Sequence, residues 1–250
     1  MNTLANYDVT LVLLSYGVAV LGSLTGLFVT TFIRRRDGDI EVKWAALGAL
    51  VIGGCAVWSM HFIGMLAFKP GIPIAYDMTI TLISLVIPIV LVFLALYTVF
   101  HWYGNRIAWL VSAVILGLGI AAMHYVGMAA MVMPAKMAYV PWIVALSVVI
   151  AIVAAAAALH ILVHSTGMLR HFTSLVLGIA VCGMHYTGMA AMRLEPITGP
   201  DNNQYFQGTF TVQTMWIAVT LAVVTTCAIG GILAVARGLQ DVSRSRRATA

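Results

Sequence analysis

Three histidines carry the most distinctive chemistry of this chain, each inside the same six-residue pattern: Met60-His61-Phe62-Ile63-Gly64-Met65, Met123-His124-Tyr125-Val126-Gly127-Met128 and Met184-His185-Tyr186-Thr187-Gly188-Met189. Imidazole and thioether are both metal ligands, and residues four apart share one face of an α-helix. His61 with Met65, His124 with Met128 and His185 with Met189 are therefore three soft-to-borderline donor pairs. With no carboxylate at this depth, the set favours copper over magnesium, calcium or manganese, and the thioether speaks against zinc. Met60, Met123 and Met184, one residue before each histidine, stand about 140° around the helix from the later methionines. Any ligation by them serves a second centre or a neighbouring helix. One His-x-x-x-Met is a weak pattern; three registered copies make a much stronger one.

The register extends beyond the six residues. Glycine stands seven positions before each histidine (Gly54, Gly117, Gly178) and alanine six positions after (Ala67, Ala130, Ala191). The histidines are 63 and 61 residues apart, and each interval holds two apolar runs, the pattern of three tandem helix pairs. The glycines are expected to let three helices converge two turns deeper, leaving space for imidazole and thioether.

The elements that position the motifs follow from composition. Of 250 residues, 62% are hydrophobic and 8% charged, and mean hydropathy is +1.02, which excludes a soluble domain. Apolar runs cover about 9–33, 44–68, 78–100, 107–133, 139–163, 172–192 and 212–236, each near the roughly 20 residues that span a hydrocarbon core. The expected fold is an all-α polytopic membrane protein of seven transmembrane helices. Three helix-pair repeats (about 9–68, 78–133 and 139–192) and a seventh helix (212–236) make one domain over 1–237, followed by a basic cytoplasmic tail, 238–250. The first run is too long and too weakly basic before it for a cleavable signal peptide.

Basic residues set the orientation. With the loop after the first helix inside, ten lysines and arginines face the cytoplasm and only Lys69, Lys136 and Arg193 lie outside. The positive-inside rule then places the N-terminus outside and the C-terminus in the cytoplasm. Lys69 and Arg193 lie eight residues past their histidines, so the imidazoles sit roughly 12 Å below the outer charged ring. The basic tail faces lipid headgroups or a cytoplasmic partner, and no aromatic interleaving points to nucleic acid.

Local signals refine this frame. Asp8 or Thr10 caps the first helix and Asp77 the third, Pro88 kinks the third, and Trp44 anchors the second at the interface. Gly22 and Gly26 allow close approach of a neighbour to the first helix. The connection 193–211 is irregular and positioned to lie over the outer face. Cys55, Cys182 and Cys227 all fall inside spans, so no disulfide framework is implied. His101, His160, His164 and His171 fall near the inner surface.

The sextets resemble those of the MHYT domain, with Met-His-Tyr-Thr verbatim at 184–187, Met-His-Tyr-Val at 123–126 and Met-His-Phe-Ile at 60–63. The resemblance covers essentially the whole chain, including Tyr-Asp and Leu-Ser-Tyr at the start of the first helix and Tyr76-Asp77 before the third. It implies a bacterial multi-pass sensor module in the cytoplasmic (inner) membrane that binds copper near the outer face and senses a diatomic gas such as O2, CO or NO. The ligands it implies are His61, His124, His185, Met65, Met128, Met189, Met60, Met123 and Met184. Tyr125 and Tyr186 are expected to bond a ligand or to anchor at the interface; Phe62 removes that hydroxyl from the first copy. Family members are often joined to cyclic-di-GMP or kinase domains, so a cytoplasmic partner or fused output domain is implied.

Three other readings use the same residues. A haem protein takes two histidines as axial ligands, which three-fold repetition fits less well. A metal or cation transporter needs a polar path across the bilayer, and the spans hold few acidic residues. A structural His/Met cluster needs only interhelical hydrogen bonds and packing. An enzymatic role is not expected, since no nucleophile–base pair or acid pair is present.

Overall fold

The computed structural model describes residues 7–35, 37–164, 168–197 and 209–248. Among these residues, seven helices are long and apolar enough to cross a membrane. They are α1 (Val9–Thr30), α2 (Val42–Ala67), α3 (Met78–His101), α4 (Arg106–Ala129), α5 (Pro141–His164), α6 (Met168–Ala191) and α7 (Val212–Ala248). Side chains fix where several begin. Asp8 Oδ1 accepts from the Thr10 and Leu11 N–H groups at 3.0 and 3.3 Å, and Asp77 Oδ1 from Ile80 N–H at 2.8 Å. Asn105 caps α4 in the same way, and Pro141 opens α5, where its missing N–H costs nothing. Beyond the expected end near 236, α7 continues to Ala248.

Helices α1 to α6 form a ring in chain order, each packed on the next, with α6 closing on α1. Outside this ring α7 lies against α1 and α2. This leaves α2 the most enclosed span, 89% buried where the others range from 22 to 56%, while the outward faces are apolar, as lipid requires.

The middle of α2 is not α-helical. Leu50–Ser59 is a π-helix between two α-helical pieces, and Ser59 Oγ donates back five residues to the Gly54 carbonyl at 2.8 Å. Glycine makes this possible by admitting other backbones. A Cβ on Gly53 would stand 2.8 Å from Ile89 N and 2.9 Å from the Pro88 carbonyl carbon, and one on Gly22 of α1 would stand 2.5 Å from Ala56 N. Gly26 of α1 likewise meets Ile52. The π-helix is rare, and its usual single-turn form is frequent at functional sites.

The glycines seven residues before the histidines do not face a three-helix centre, contrary to the sequence expectation. Gly54 looks toward Thr226 on α7, Gly117 against Ile152 on α5, and Gly178 against Tyr16 and Val20 on α1. Two turns below the histidines, each motif helix meets a flanking helix there instead. Trp44 is also not an open interfacial anchor: it is buried, with its ring 4.9 Å from Phe32.

The ends of α2, α4 and α6 that carry the motifs share one side of the molecule, where short strands bind them in three equivalent ways. Tyr7 bridges Phe68; Tyr76 of β1 (Ala75–Asp77) pairs with Met131 of β2 (Met131–Val132); Tyr139 of β3 (Ala135–Tyr139) pairs with Met192 of β4 (Met192–Pro196). The registered alanines supply the acceptors: Asp8 N–H donates to Ala67 O at 2.8 Å, Asp77 N–H to Ala130 O at 2.8 Å and Val140 N–H to Ala191 O at 2.9 Å. A fifth strand, β5 (Thr209–Phe210), joins β1 on its other edge. Of the connection expected to lie over this side, residues 198–208 fall outside the described residues.

At the opposite side Glu41, just before α2, accepts from Arg237 of α7 at 3.0 Å and pairs with Lys43 at 3.1 Å. Burial raises the Glu41 pKa, but the Lys43 hydrogen bond and the Arg237 charge outweigh it and hold the carboxyl below its ordinary value.

Candidate metal centre

His61, His124 and His185 are each fully buried and meet on the axis of the ring, brought there from helices that are not neighbours in it. Their Nδ1 atoms form a nearly equilateral triangle: His61 to His185 3.0 Å, His61 to His124 3.2 Å, His124 to His185 3.3 Å. The rings stand edge to face like the blades of a propeller, with centroids 4.9–5.1 Å apart and interplanar angles of 83–87°. The point equidistant from the three nitrogens lies about 1.8 Å from each, close to a metal–imidazole bond of roughly 2.0–2.1 Å.

Hydrogen bonding among the three cannot be complete. A neutral imidazole nitrogen is either a donor or an acceptor, so three Nδ1 atoms in mutual contact leave at least one pair of like kind facing each other. The Nε2 atoms offer no relief, because all three are buried without a hydrogen-bond partner. Each orphaned polar group costs about 1–3 kcal/mol. Three inward lone pairs on one point are what a cation satisfies, and the residues present fit a metal ion.

The glycine at the fifth place of each sextet makes the convergence possible, and in a cyclic order. Gly64 faces Nε2 of His185, Gly127 faces Nε2 of His61, and Gly188 faces Nε2 of His124; a Cβ at any of them would overlap the imidazole. Each motif helix thus presents its own histidine to the axis and its glycine to the histidine of another. These glycines were visible in the repeated pattern, but helical spacing from the histidine did not reveal their role.

The aromatic residue after each histidine faces away from the axis. Tyr125 hydroxyl lies 2.6 Å from Ser147 Oγ on α5, and Tyr186 hydroxyl 3.0 Å from Ser15 Oγ on α1. The third equivalent, Ser84 on α3, is taken by Trp58 Nε1 at 3.1 Å, beside Phe62, which has no hydroxyl. Each serine also donates to the carbonyl three residues earlier. A further tyrosine packs edge-on over each aromatic: Tyr7 on Tyr186, Tyr76 on Phe62, Tyr139 on Tyr125, at 5.7–5.8 Å. Burial, then the neighbouring Tyr186, pushes the Tyr7 phenol up to about 12, and burial raises Tyr76 and Tyr139 as well, so these caps stay neutral. The serines were legible only as a Leu-Ser pair recurring near the start of α1 and α5, with Ser84 two residues after Leu82 in α3.

Met65, Met128 and Met189 are fully buried in the main apolar cluster, which also takes in Met123 and Met184. Met60 lies apart, with Ala19 of α1 and Val181 of α6. Met65 also lines a pocket of about 630 Å³ that opens at the motif side between the Lys69–Ile74 turn and the start of α7, one approach from the surface to α2. Cys182 packs with Met60 rather than joining the histidine triangle. Elsewhere His160 and His164 stack on each other at 4.4 Å, and His101 stacks on Tyr97.

A family profile described as "Bacterial signalling protein N terminal repeat" (MHYT) matches three times, over residues 54–112, 117–174 and 178–246. Its units begin at Gly54, Gly117 and Gly178, so each pairs a motif helix with the helix that follows it. Among curated proteins, the chain is 38% identical over 92% of its length to the bifunctional diguanylate cyclase/cyclic di-GMP phosphodiesterase MucR of Pseudomonas aeruginosa. It is 37% identical over 77% of its length to the cyclic di-GMP phosphodiesterase NbdA of the same species, and 31% over 82% to the signaling protein YkoW of Bacillus subtilis. The chain spans 34%, 25% and 26% of the lengths of these three. No solved structure matches.

Proposed function

The chain belongs to the MHYT family of bacterial signalling proteins, and on that premise we propose that it is a membrane sensor module whose histidine triangle holds copper. The observation that carries this reading is the mutual approach of the three Nδ1 atoms to 3.0–3.3 Å in a fully buried site. His61, His124 and His185 hold the ion, and Met65, Met128 and Met189 supply thioether sulfur that selects copper over harder ions. Met60, Met123 and Met184 serve a second centre or neighbouring helices, and Met60, in its own cluster, fits that role. Copper held by these residues would supply a redox-active Lewis acid able to bind a diatomic gas, O2, CO or NO. The protein's part is to keep the imidazoles converging, to exclude water with the tyrosine caps and strands, and to admit the ligand beside Met65. Tyr125 and Tyr186 hold the motif helices to α5 and α1 through Ser147 and Ser15.

The basic residues support an N-terminus outside, the motif side facing outward and residues 238–250 in the cytoplasm of the inner membrane. A change at His61 then has a short path to the far side. It runs down α2 through the π segment to Glu41, whose bond to Arg237 grips α7, the helix that leads to the C-terminal side. Relatives with cyclic di-GMP activities in their names make a fused or associated output domain the natural receiver.

The test is metal content. Detergent-purified chain from copper-supplemented cells is expected to carry copper by elemental mass spectrometry and to lose it in the H61A/H124A/H185A variant. Equal copper in both removes this reading, and a Soret band in the wild type replaces it with haem.

A further inference from the structure

Cys55 and Cys227 form a second pair of chemically active side chains, independent of the histidine triangle. Their Sγ atoms lie 3.3 Å apart, both as free thiols, and Cys55 Sγ also lies 4.0 Å from the Val18 carbonyl oxygen. Cys55 sits within the π segment of α2 and is fully buried; Cys227, on α7, is half-buried near exposed Val224. Among the described residues, this is the one place where two cysteines face each other. The third thiol, Cys182, has no cysteine partner among the described residues.

We propose that Cys55 and Cys227 are a membrane-embedded oxidation site, joined as a disulfide by a lipid-soluble quinone. The reaction balances within that pair: two S–H bonds break, one S–S bond forms, and the two protons and two electrons convert one quinone to quinol. A quinone is the class of oxidant that fits the place. Cys55 stands near the middle of a 26-residue span, where ionic oxidants do not partition, and Cys227 opens toward the apolar exterior from which a quinone arrives. Thiol pairs already in contact need little chain movement to close, so oxidation is favoured by proximity. The product pins α7 to α2 six residues before His61 and so fixes the junction between the histidine site and the helix leading out of it.

The test uses the full chain in proteoliposomes with a short-chain ubiquinone analogue, followed by denaturation and maleimide labelling. The wild type is expected to fall from three labelled thiols to one, to recover all three with dithiothreitol, and to yield a non-reduced peptide linking residues 55 and 227 within a monomer. C55S and C227S are each expected to keep two labelled thiols with or without the quinone. Three labelled thiols after quinone treatment overturn the proposal, as does a disulfide formed only between chains. Closure by copper–phenanthroline but not by quinone also overturns it, since the oxidant is part of what is claimed.

Discussion

Nε2 of His185 rests against Gly64 with no room for a methyl group between them, and Gly127 with His61 and Gly188 with His124 repeat the contact. An alanine at any of these places must push an imidazole off the axis. Overpacking of this kind costs about 1–3 kcal/mol. G64A, G127A and G188A are therefore each expected to lower the melting temperature and to reduce bound copper together. G183A on α6, where a Cβ meets nothing within 4 Å, is the matched control and is expected to be neutral or stabilising by roughly 0.5–1 kcal/mol. Wild-type copper content and melting in G64A would show that the glycine–imidazole contact does not shape the site.

The tyrosine–serine pairs are separable from the proposed metal site, because their hydroxyls bond to flanking helices and not to the histidine triangle. Y125F removes a 2.6 Å bond to Ser147 and is expected to cost about 1 kcal/mol with copper content unchanged. S147A should cost about the same, and the double variant no more than either alone, since one interaction is being lost twice. Thermal unfolding in detergent measures all three; additive losses would dissociate the two residues.

The reverse substitution in the first repeat should be worse. Phe62 is fully buried between Trp58 and Tyr76, and the serine that would receive a hydroxyl, Ser84, already accepts from Trp58. F62Y therefore forces a hydroxyl into a packed site where the second lone pair of Ser84 is the acceptor left over, at about 1–3 kcal/mol for overpacking. Destabilisation by F62Y greater than by Y125F is the expected order, and F62Y as stable as wild type would mean that Ser84 accepts from both Trp58 and the new hydroxyl.

Much of this arrangement was legible in the residues. Seven spans follow from hydropathy, and three sextets in helices of like direction place His61, His124 and His185 at one depth, where the structure brings them into contact. The caps at Asp8 and Asp77, and the close packing at Gly22 and Gly26, were legible because they depend on neighbours in sequence or on small size alone. The π segment was not, since it is set by Gly53 against the backbone of Pro88 and Ile89, a contact between helices that no local spacing encodes. The depth-matched glycines misled for a similar reason: a helical wheel gives the side of a helix on which Gly117 lies, not that Ile152 of α5 occupies it.

That π segment makes its own prediction. The atoms facing Gly53 are backbone and cannot rotate away, unlike the imidazole facing Gly64. G53A is therefore expected to be as destabilising as the motif glycine variants, about 1–3 kcal/mol or more, by prising α2 from α3. Reduced melting temperature with faster amide exchange in 50–59 is the expected signature; a neutral G53A would show that α2 returns to α-helical turns at no loss.

The link between Glu41 and Arg237 should be visible as pH dependence. Lys43 and Arg237 together hold the Glu41 carboxyl below its ordinary value of 4.5 in the folded protein, despite the opposing effect of burial. A carboxylate with a depressed folded-state pKa binds protons more readily when unfolded, so its contribution is fully present above about pH 4.5 and is lost as pH falls through the lower folded value. The contribution is that of a partly exposed ion pair, roughly 0.5–1 kcal/mol, because Arg237 keeps 24% of its side chain open. E41Q is expected to lower stability at neutral pH by that amount and to converge on the wild type once the wild-type carboxyl is protonated. Melting curves of both from pH 7 to pH 3 decide it. Parallel curves across that range would mean that Glu41 does not hold α2 to α7 through its charge, and the proposed route from the histidine site to the far side would then rest on the packing of the π segment alone.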